Sequence, residues 1–363
     1  MGSVKDLEVI KKPTQDSMGV GRFHFSDRYS VFDWGEMPDL IKGKGAALCL
    51  MGAYCFEMLE KKGVNTHYRG LVDPEGQGKV LRFDELEKPL NVMEINLVNV
   101  YKPKVLMEGG KLKYDYSVYT PSLKNYLIPL EIIYRNGLPE GSAIFKRLEQ
   151  GLISLKDLGL DHMPMPGEKL SRPILDLSTK LEEGDRYVTW EEAQKIAGLT
   201  SREVEEVKAL LLKVDETITE MASKAGLVNE DGKIELAFNP NRQLMVADVA
   251  GTLDECRFTY NGLHVSKEIA RMYYRQTEWA KQVEEAKIKA REKGVENWKT
   301  LVKIKPQKLD PELKTLISQM YMAAANEVTG RKFFDTPKLA EVIKNLKSFK
   351  GLNHLSHKPG RLI

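Results

Sequence analysis

The feature that most constrains this sequence is a turn between two strand-like segments, because an antiparallel hairpin fixes which side chains lie side by side. Residues 233–238 (KIELAF) and 243–249 (QLMVADV) are rich in residues that favour strands. The intervening Asn239-Pro240-Asn241-Arg242 has the composition of a tight turn. The sequence therefore predicts a β-hairpin over residues 233–249.

The register of this hairpin places charged groups together. If the residues that flank a four-residue turn pair directly, Glu235 faces Val246 and Lys233 faces Asp248, with all these side chains on one side of the ribbon. Two neighbouring carboxylates repel unless a cation lies between them, and oxygen ligands on rigid strands suit Mg²⁺ held together with nucleotide phosphates. An exposed, charged strand face would show the same pattern, and a register slip of one residue would separate the set.

Other segments predict further strands. Residues 22–27 alternate polar and aromatic side chains, as expected of a chain entering a strand after a turn. Residues 94–103, 111–119 and 127–135 are rich in Val, Ile, Tyr and Leu and are separated by Gly or Pro, which predicts a strand meander.

Two segments predict helices. Apolar residues recur at helical spacing over residues 46–62, and Gly63 stands where a helix end requires a left-handed residue. A longer helix over residues 201–225 begins after Thr200, with Glu203 in position to complete a capping box. Strands and helices in this order predict an α+β fold.

The region after residue 275 is helical and rich in basic residues. Lys and Arg outnumber Asp and Glu between residues 276 and 363. We interpret it as a helical extension that packs on the rest of the chain or on a second subunit. An RNA-binding tail is the alternative, although aromatic residues do not alternate with the charges as such tails usually require.

Composition excludes several classes of function. The 363 residues are 42% hydrophobic and 29% charged, as in ordinary globular proteins. A net charge of +3 gives no reason to expect a nucleic-acid partner. No apolar stretch approaches the ~20 residues that span a bilayer, and no signal segment opens the chain, so we expect a cytoplasmic protein without a membrane partner. The six histidines lack zinc-site spacing, and three scattered cysteines suit buried, reduced thiols.

Two further clusters could contact a polar substrate. Asp254 and Arg257 are three residues apart, and arginine is suited to forked recognition of phosphate or carboxylate. Arg135 closes a strand, and Gly141-Ser142 follows after a short loop, which could form a phosphate cradle. A surface salt bridge is the alternative explanation for an arginine at a strand end.

Two glycine-containing segments are candidate anion sites. Gly19-Val20-Gly21 is either a loop that covers phosphates or a plain turn, and it matches neither a P-loop nor a dinucleotide fingerprint. Lys42-Gly43-Lys44-Gly45 places positive charge and flexible backbone at the start of a predicted helix, where anions bind readily.

Taken together and in order, these segments resemble the SAICAR synthetase family. The matching blocks are "SDR.S.FD" at 26–33, "P.KG..L" at 38–48, Thr66-His67, "P.E...RN...GS..KR" at 129–147, Thr179-Lys180, "D.K.E" at 231–235 and "D......D..R" at 248–257. The resemblance covers about 19–275. It departs from the family in the glycine loop, Gly19-Val20-Gly21-Arg22, which lacks the first lysine, and in Lys180-Leu181-Glu182, which replaces "K.D".

The resemblance implies a fold and a reaction. The expected fold has two lobes, an antiparallel N-terminal sheet and a mixed α/β C-terminal lobe, followed by the helical extension. The expected boundaries are 1–128 for a nucleotide-binding lobe, 129–275 for a substrate- and metal-binding lobe and 276–363 for the basic extension. The implied reaction joins L-aspartate to carboxyaminoimidazole ribotide (CAIR) with ATP and Mg²⁺. The alternatives are a related ATP-dependent ligase or kinase acting on another phosphorylated carboxylate, or a non-catalytic nucleotide-binding homologue. The sequence also allows a homo-oligomer.

The resemblance assigns roles to individual residues. The implied catalytic residues are Lys233 and Lys180, and the implied metal ligands are Glu235 and Asp248. The implied ATP-binding residues are Gly19, Gly21, Arg22 and Lys44. The implied substrate-binding residues are Ser30, Arg135, Ser142, Asp231, Asp254 and Arg257.

Overall fold

A computed structural model describes residues 4–76, 78–108, 111–182, 184–293, 295 and 297–355. Over these residues the chain forms two larger antiparallel sheets and a set of helices, so the predicted α+β class is confirmed. The strands are β1 (Lys5–Lys11), β2 (Gly19–Phe25), β3 (Tyr68–Val72), β4 (Val80–Leu81), β5 (Val92–Leu97), β6 (Lys104–Glu108), β7 (Lys111–Asp115), β8 (Tyr126–Leu127), β9 (Leu130–Leu138), β10 (Glu168–Thr179), β11 (Val228–Phe238), β12 (Leu244–Ala247), β13 (Cys256–Tyr260) and β14 (Leu263–Val265).

The first sheet has the order β1-β2-β5-β3-β4, and its strands are antiparallel. In β2, buried residues alternate with half-buried ones, as a sheet with one covered face requires. Gly19 and Gly21 are therefore strand residues, and the loop and turn interpretations of this segment are both wrong. A Cβ on Gly19 would lie 2.2 Å from the Lys11 carbonyl oxygen, so the close approach of β1 requires glycine there.

The second sheet has the order β10-β9-β11-β13-β14, and β8 and β12 pair with the second half of β11. The predicted meander is wrong, because its three strands separate. β5 joins the first sheet, β7 pairs only with β6 among the described strands, and β9 joins the second sheet. The long central strand β11 is the element around which the second sheet is built.

The predicted hairpin forms from β11 and β12, but its register differs by one residue. Glu235 pairs with Ala247 rather than Val246, and Lys233 pairs with Ile133 of β9 instead of Asp248. The turn contains one more residue than expected, because Arg242 takes a left-handed conformation with φ 55°. The Asn239 side chain stabilises this longer turn by accepting hydrogen bonds from two backbone amides within it.

The helices are α1 (Lys44–Lys61), α2 (Ala143–Glu149), α3 (Leu155–Leu158), α4 (Trp190–Ile196), α5 (Ser201–Ser223), α6 (Glu268–Arg275), α7 (Glu278–Lys293), α8 (Pro311–Thr329) and α9 (Leu339–Ser348). The predicted capping box at the start of α5 is confirmed, since the Thr200 and Glu203 side chains each accept a hydrogen bond from the other's backbone amide. Gly63 follows α1 with φ 74°, as predicted. None of the helices in the described ranges combines the length and apolarity that a membrane crossing needs.

The extension after residue 275 packs on the rest of the chain. Helix α8 lies against α1 and buries Leu313, Ile317 and Tyr321 in the main core. The Ser318 hydroxyl donates a hydrogen bond of 2.6 Å to the carbonyl of Lys42, which fixes α8 against the start of α1. The first of the two predicted packing arrangements is therefore observed. Residues 356–363 of the predicted extension lie outside the described residues.

The three cysteines lie in the interior of the protein. Cys49, Cys55 and Cys256 are free and buried, as expected.

The pairing of β8 bears on the predicted lobe boundary at 128. Strand β8 ends at Leu127, before that boundary, yet it pairs with β11 in the second sheet. The division of the chain at 128 and 275 stays a prediction.

Candidate active site

The buried Glu235 and the half-buried Asp248 form a pair of acids on the hairpin strands and their edge. Glu235 points from β11 and contacts the ammonium of Lys180, while the Asp248 carboxylate lies 2.7 Å from the Lys5 Nζ of β1. Burial raises the pKa of Glu235, and the nearby charge of Asp248 raises it further. Burial also opposes ionisation of Asp248, but Lys5 and Lys180 outweigh it and hold the pKa of Asp248 below its ordinary value. Each acid thus depends on a neighbouring cation.

A histidine just before β3 of the first sheet fixes the position of Asp248. Asp248 adopts a left-handed backbone conformation with φ 57°, which is unfavourable for a residue with a side chain. The His67 Nε2 lies 2.8 Å from the Asp248 carbonyl oxygen. Burial lowers the pKa of His67 to about 4, so the neutral ring donates this hydrogen bond through Nε2. His67 therefore joins the two sheets at the acid pair.

Lys233 lies one step along the same face of β11. Its Nζ is 2.5 Å from Glu131 Oε1 and 3.8 Å from Glu255 Oε2. Burial would lower the pKa of Lys233, but the charges of Glu255 and Glu131 outweigh it and raise the pKa above its ordinary value. Lys233 therefore stays a cation beside the acid pair.

A cluster of arginines and aspartates occupies the other end of this face. Arg135 bonds to Asp176 at 3.0 Å and to Asp231 at 3.4 Å. Arg257 donates to both oxygens of Asp231, at 2.8 and 2.5 Å, and Arg147 bonds to Asp176 at 2.6 Å. Three predicted substrate residues, Arg135, Asp231 and Arg257, are therefore brought together. The sequence analysis did not predict Asp176 or Arg147 as site residues. Asp176 is one polar residue in a strand and Arg147 is one of two adjacent basic residues, and neither pattern indicates that they contact each other.

A cavity of about 150 Å³ lies between α6, α8, the start of α1 and the segment before β1, and Glu255 in its lining is 3.8 Å from Lys233. Its lining residues are Val4, Tyr29, Ser30, Ile41, Lys44, Asp254, Glu255, Lys267, Ala270, Ile317 and Tyr321. Asp254 is buried in its wall, with Lys44 Nζ at 2.7 Å from one oxygen and the Tyr321 hydroxyl at 2.7 Å from the other. Ser30, Lys44 and Asp254, predicted separately for substrate and ATP, line this one cavity.

The predicted anion site at the start of α1 is occupied by the protein itself. The Asp27 carboxylate accepts hydrogen bonds from the backbone amides of Gly43 at 3.2 Å and Gly45 at 3.0 Å. Lys44 is 1% exposed and ion-paired with Asp254. As an open anion site this prediction is wrong, because Asp27 supplies the negative charge that the helix terminus favours.

Other predicted residues lie apart from these clusters. Arg22 projects from β2 and donates two hydrogen bonds to Glu94 of β5. Ser142 precedes α2, and its buried hydroxyl has no hydrogen-bond partner among the described residues. No contact joins Gly19, Gly21, Arg22 or Ser142 to the acid pair within the described residues, so their roles stay predictions.

The site face of β11 ends in an apolar patch. Ala237, Met245 and Ala247 form a small buried cluster, against which Met18, Val98 and Leu127 pack. Ala237 follows Glu235 by two residues on β11 and therefore shares its face. Charged and apolar surfaces thus meet at the acid pair, as a ligand with an anionic end and a flat apolar end would require.

The carboxylates suit a particular kind of metal site. Within the described residues no group of three or more His, Cys, Asp or Glu side chains could hold an ion. Two carboxylates with no further protein ligand fit Mg²⁺, which usually takes one or two carboxylates and completes its shell with phosphate oxygens and water. Zinc sites, by contrast, usually require three or four protein ligands.

Comparisons with known proteins agree with each other. The model of the SAICAR synthetase family matches residues 13–287. A curated relative from Archaeoglobus fulgidus, provisionally named phosphoribosylaminoimidazole-succinocarboxamide synthase, is 53% identical over 96% of this chain and 99% of its own. The phosphoribosylaminoimidazole-succinocarboxamide synthase of Thermoplasma acidophilum is 30% identical over 86% of this chain and 93% of its own.

Solved structures share the fold. The Saccharomyces cerevisiae SAICAR synthase complexed with SAICAR matches with a TM-score of 0.61 at 19% identity, covering 92% of this chain and 95% of its own. A SAICAR synthetase in complex with ADP matches with a TM-score of 0.53 at 20% identity, covering 85% of this chain and 99% of its own.

Proposed function

This chain belongs to the SAICAR synthetase family of purine-biosynthesis ligases, and from that premise we propose that it joins L-aspartate to the carboxylate of CAIR. ATP is consumed, and the products are SAICAR, ADP and phosphate. The observation that carries the proposal is the single face of β11 on which the arginine cluster, Lys233, the acid pair and the apolar patch follow one another. The related structures in complex with ADP and with SAICAR support it.

The reaction passes through an acyl phosphate. A carboxylate is a poor electrophile, and oxide is a poor leaving group, so the CAIR carboxylate oxygen first attacks the γ-phosphorus of ATP and ADP leaves. The aspartate amine then attacks the carbonyl carbon of the acyl phosphate. The C–O bond to phosphate breaks, the C–N bond forms, and the neutral amine gives up one proton, which leaves on the released phosphate. Both steps need positioning and charge neutralisation more than covalent help from the protein.

Glu235 and Asp248 would hold Mg²⁺ in this proposal. Glu235 is buried and Asp248 is half-buried, and within the described residues each carboxylate is ion-paired with one lysine, so oxygen ligands are available on one side of the pair. When bound, Mg²⁺ would neutralise the charge of the phosphate oxygens. Lys180 and Lys233 stand beside the pair, where ammonium groups would stabilise the transferring phosphoryl group.

The remaining residues bind and orient the ligands. The apolar patch would receive the adenine, and β2, which carries Gly19, Gly21 and Arg22, would form the wall over the nucleotide. Arg257 is less buried than Arg135 and would face the ribotide phosphate, while Asp231 holds both guanidinium groups in place. Residues 1–128 would then form the nucleotide-binding lobe and 129–275 the substrate- and metal-binding lobe of a cytoplasmic enzyme.

A coupled assay of ADP release tests the proposal. We expect ADP to form only when ATP, Mg²⁺, CAIR and L-aspartate are all present, and SAICAR to appear in equal amount. Sustained ADP release without L-aspartate would instead indicate a kinase. Absence of turnover, together with no thermal stabilisation by Mg-ATP, would indicate a homologue without catalysis.

A further inference from the structure

Strands β6 and β7 form a two-stranded ribbon apart from the two larger sheets. Within the described part of the chain β6 pairs only with β7, in a register that runs from Lys104 opposite Asp115 to Glu108 opposite Lys111. A strand with one neighbour keeps unpaired N–H and C=O groups along its other edge, and a second strand can add there. The outer edge of β6 is therefore a place where another chain can extend the ribbon.

The side chains of β6 favour such an addition. All five are exposed, and the three in the middle of the strand are apolar. Val105, Leu106 and Met107 are 55%, 49% and 68% exposed. Single exposed apolar residues are common on protein surfaces, whereas three in a row on an open strand edge indicate an interaction site. A partner strand would remove part of this apolar surface from water.

The charges at the two ends of β6 make the strand complementary to itself. Lys104 begins the strand and Glu108 ends it, and each is two residues from Leu106. When two copies of β6 lie antiparallel about a two-fold axis at Leu106, Lys104 lies opposite Glu108 of the partner subunit. The symmetry makes this attractive contact twice. It also places Val105 opposite the partner's Met107, again twice.

The backbone of β6 permits this register. Successive residues of an antiparallel strand direct their N–H and C=O groups to opposite edges. In a pairing centred on Leu106, the two members of each pair are an even number of residues apart on β6, so both direct these groups to the same edge. The hydrogen bonds then form without a bulge. A pairing centred on Val105 or on Met107 would also satisfy the backbone, but Lys104 and Glu108 would not meet.

Strand β7 continues the alternation of charge. Asp115 lies opposite Lys104 within the ribbon, and directly opposite residues share a face of the sheet. In the paired arrangement Lys104 would therefore lie between Asp115 and the partner's Glu108. Glu108 is already ion-paired with Lys113 of its own ribbon, and a carboxylate has acceptor capacity for a second cation. Neighbouring charges would thus have opposite signs across the four strands.

We propose that β6 joins two copies of this chain, antiparallel about Leu106, in a four-stranded sheet of order β7-β6-β6-β7. The inference concerns assembly and does not depend on which reaction the chain catalyses. Five residues on each side make a small interface, and small interfaces are usually weak and reversible. We therefore expect a dimer that dissociates on dilution, with a Kd within ~1–100 µM.

Charge reversal tests the register. Lys104→Glu or Glu108→Lys alone sets like charges opposite each other at both contacts, which should raise the dimer Kd by about 10–100-fold. An equal mixture of the two variants should instead form a heterodimer about as tight as the wild-type dimer, because a strand with two acids then faces a strand with two lysines. Sedimentation velocity over ~1–300 µM protein measures each Kd.

Lys281→Glu is the matched control, because it makes the same change of charge on the exposed surface of α7 and should leave the Kd unchanged. A wild-type chain that stays monomeric up to ~300 µM would overturn the proposal and leave the edge of β6 to a different partner. A dimer that tolerates both charge reversals would be held together elsewhere, which also overturns it. If the folded single variants fail to associate when mixed, the antiparallel register about Leu106 is wrong.

Discussion

Two charged clusters, the arginine cluster and the acid pair, share one face of β11, and their charges are neutralised by different kinds of cation. In the arginine cluster, Asp231 bonds to two guanidinium groups, and Arg135 in turn bonds to two aspartates. In the acid pair, Glu235 and Asp248 each contact one lysine, and their like charges lie side by side. Planar guanidinium groups fix geometry by forked hydrogen bonds, whereas lysines act as mobile point charges.

The difference indicates which cluster holds the structure and which awaits a ligand. A fully paired buried network is stable as it stands, and breaking it leaves uncompensated charge. Two neighbouring acids, each held by a single flexible lysine, gain when a divalent cation binds between them. The first cluster should therefore respond to mutation mainly through stability, and the second mainly through activity.

Removal of Arg135 should have the largest effect on stability. Arg135 is 2% exposed, and Arg135→Ala would leave Asp176 and Asp231 each with one cation fewer. Breaking a buried pair in this way typically costs about 3–5 kcal/mol of unfolding free energy. Urea unfolding of the ligand-free protein measures the change.

The control for that measurement is an arginine on the surface. Arg202 is exposed on α5 and pairs with Glu206 one turn later, so Arg202→Ala should cost no more than about 0.5 kcal/mol. Equal stability losses in the two variants would remove the structural role assigned to the arginine cluster.

His67 should make stability depend on pH. The ordinary pKa of 6.5 applies to the unfolded chain, whereas burial lowers the folded value to about 4. Between these values the unfolded state binds more protons. The contribution of neutral His67 is therefore fully present above pH 6.5, and about 3 kcal/mol is lost as pH falls through 4, at ~1.4 kcal/mol per pKa unit. The difference in unfolding free energy between wild type and His67→Gln should shrink by that amount across this window.

His162→Gln is the matched control, because His162 is exposed and titrates in the opposite direction. Hydrogen bonds to Asp161 and Glu168 raise the pKa of His162, so its contribution is present below the ordinary value and is lost as pH rises. If the difference in unfolding free energy between wild type and His67→Gln stays constant from pH 7 to pH 4, His67 is not held neutral. Its role in fixing Asp248 would then lose support.

Replacement of Asp248 should affect activity instead. Asp248→Asn retains the shape but removes one charge from the acid pair, and turnover should fall by at least ~10²-fold, the scale of losing one electrostatic stabiliser. The half-saturating Mg²⁺ concentration should rise, while the unfolding free energy without ligands should change far less than in Arg135→Ala. Asp335→Asn, which alters a fully exposed carboxylate, should change none of these quantities. Normal turnover with an unchanged magnesium titration would exclude Asp248 as a metal ligand.

Local signals in the sequence predicted much of the secondary structure and the composition of the site face. The capping residues Thr200 and Glu203 mark the start of α5 correctly, because their hydrogen bonds are made within one turn. Alternation along the predicted strand correctly placed Lys233 and Glu235 on one face, because the period of a strand is two.

Long-range features could not be predicted in the same way. The hairpin register depended on the left-handed Arg242, and no residue type signals that conformation in advance except glycine and, less strongly, asparagine. The Lys5 and Tyr321 contacts join parts of the chain far apart in sequence, and only the packing of β1 and α8 brings them to the site. No sequence periodicity connects such distant pairs. The contact of Lys5 with Asp248 and the position of Tyr321 in the cavity wall could therefore be seen only in the folded protein.

Tyr321→Phe should give the smallest effect of these substitutions, and the effect should be on stability. The hydroxyl donates to Asp254 at 2.7 Å, and its loss should cost about 1.5 kcal/mol of stability, near the lower limit for a hydrogen bond to a charged group. Asp254 would retain Lys44, so the pair should not break and the KM values for ATP and CAIR should hold. A stability loss with unchanged KM values would show that the Tyr321 hydroxyl serves the fold alone.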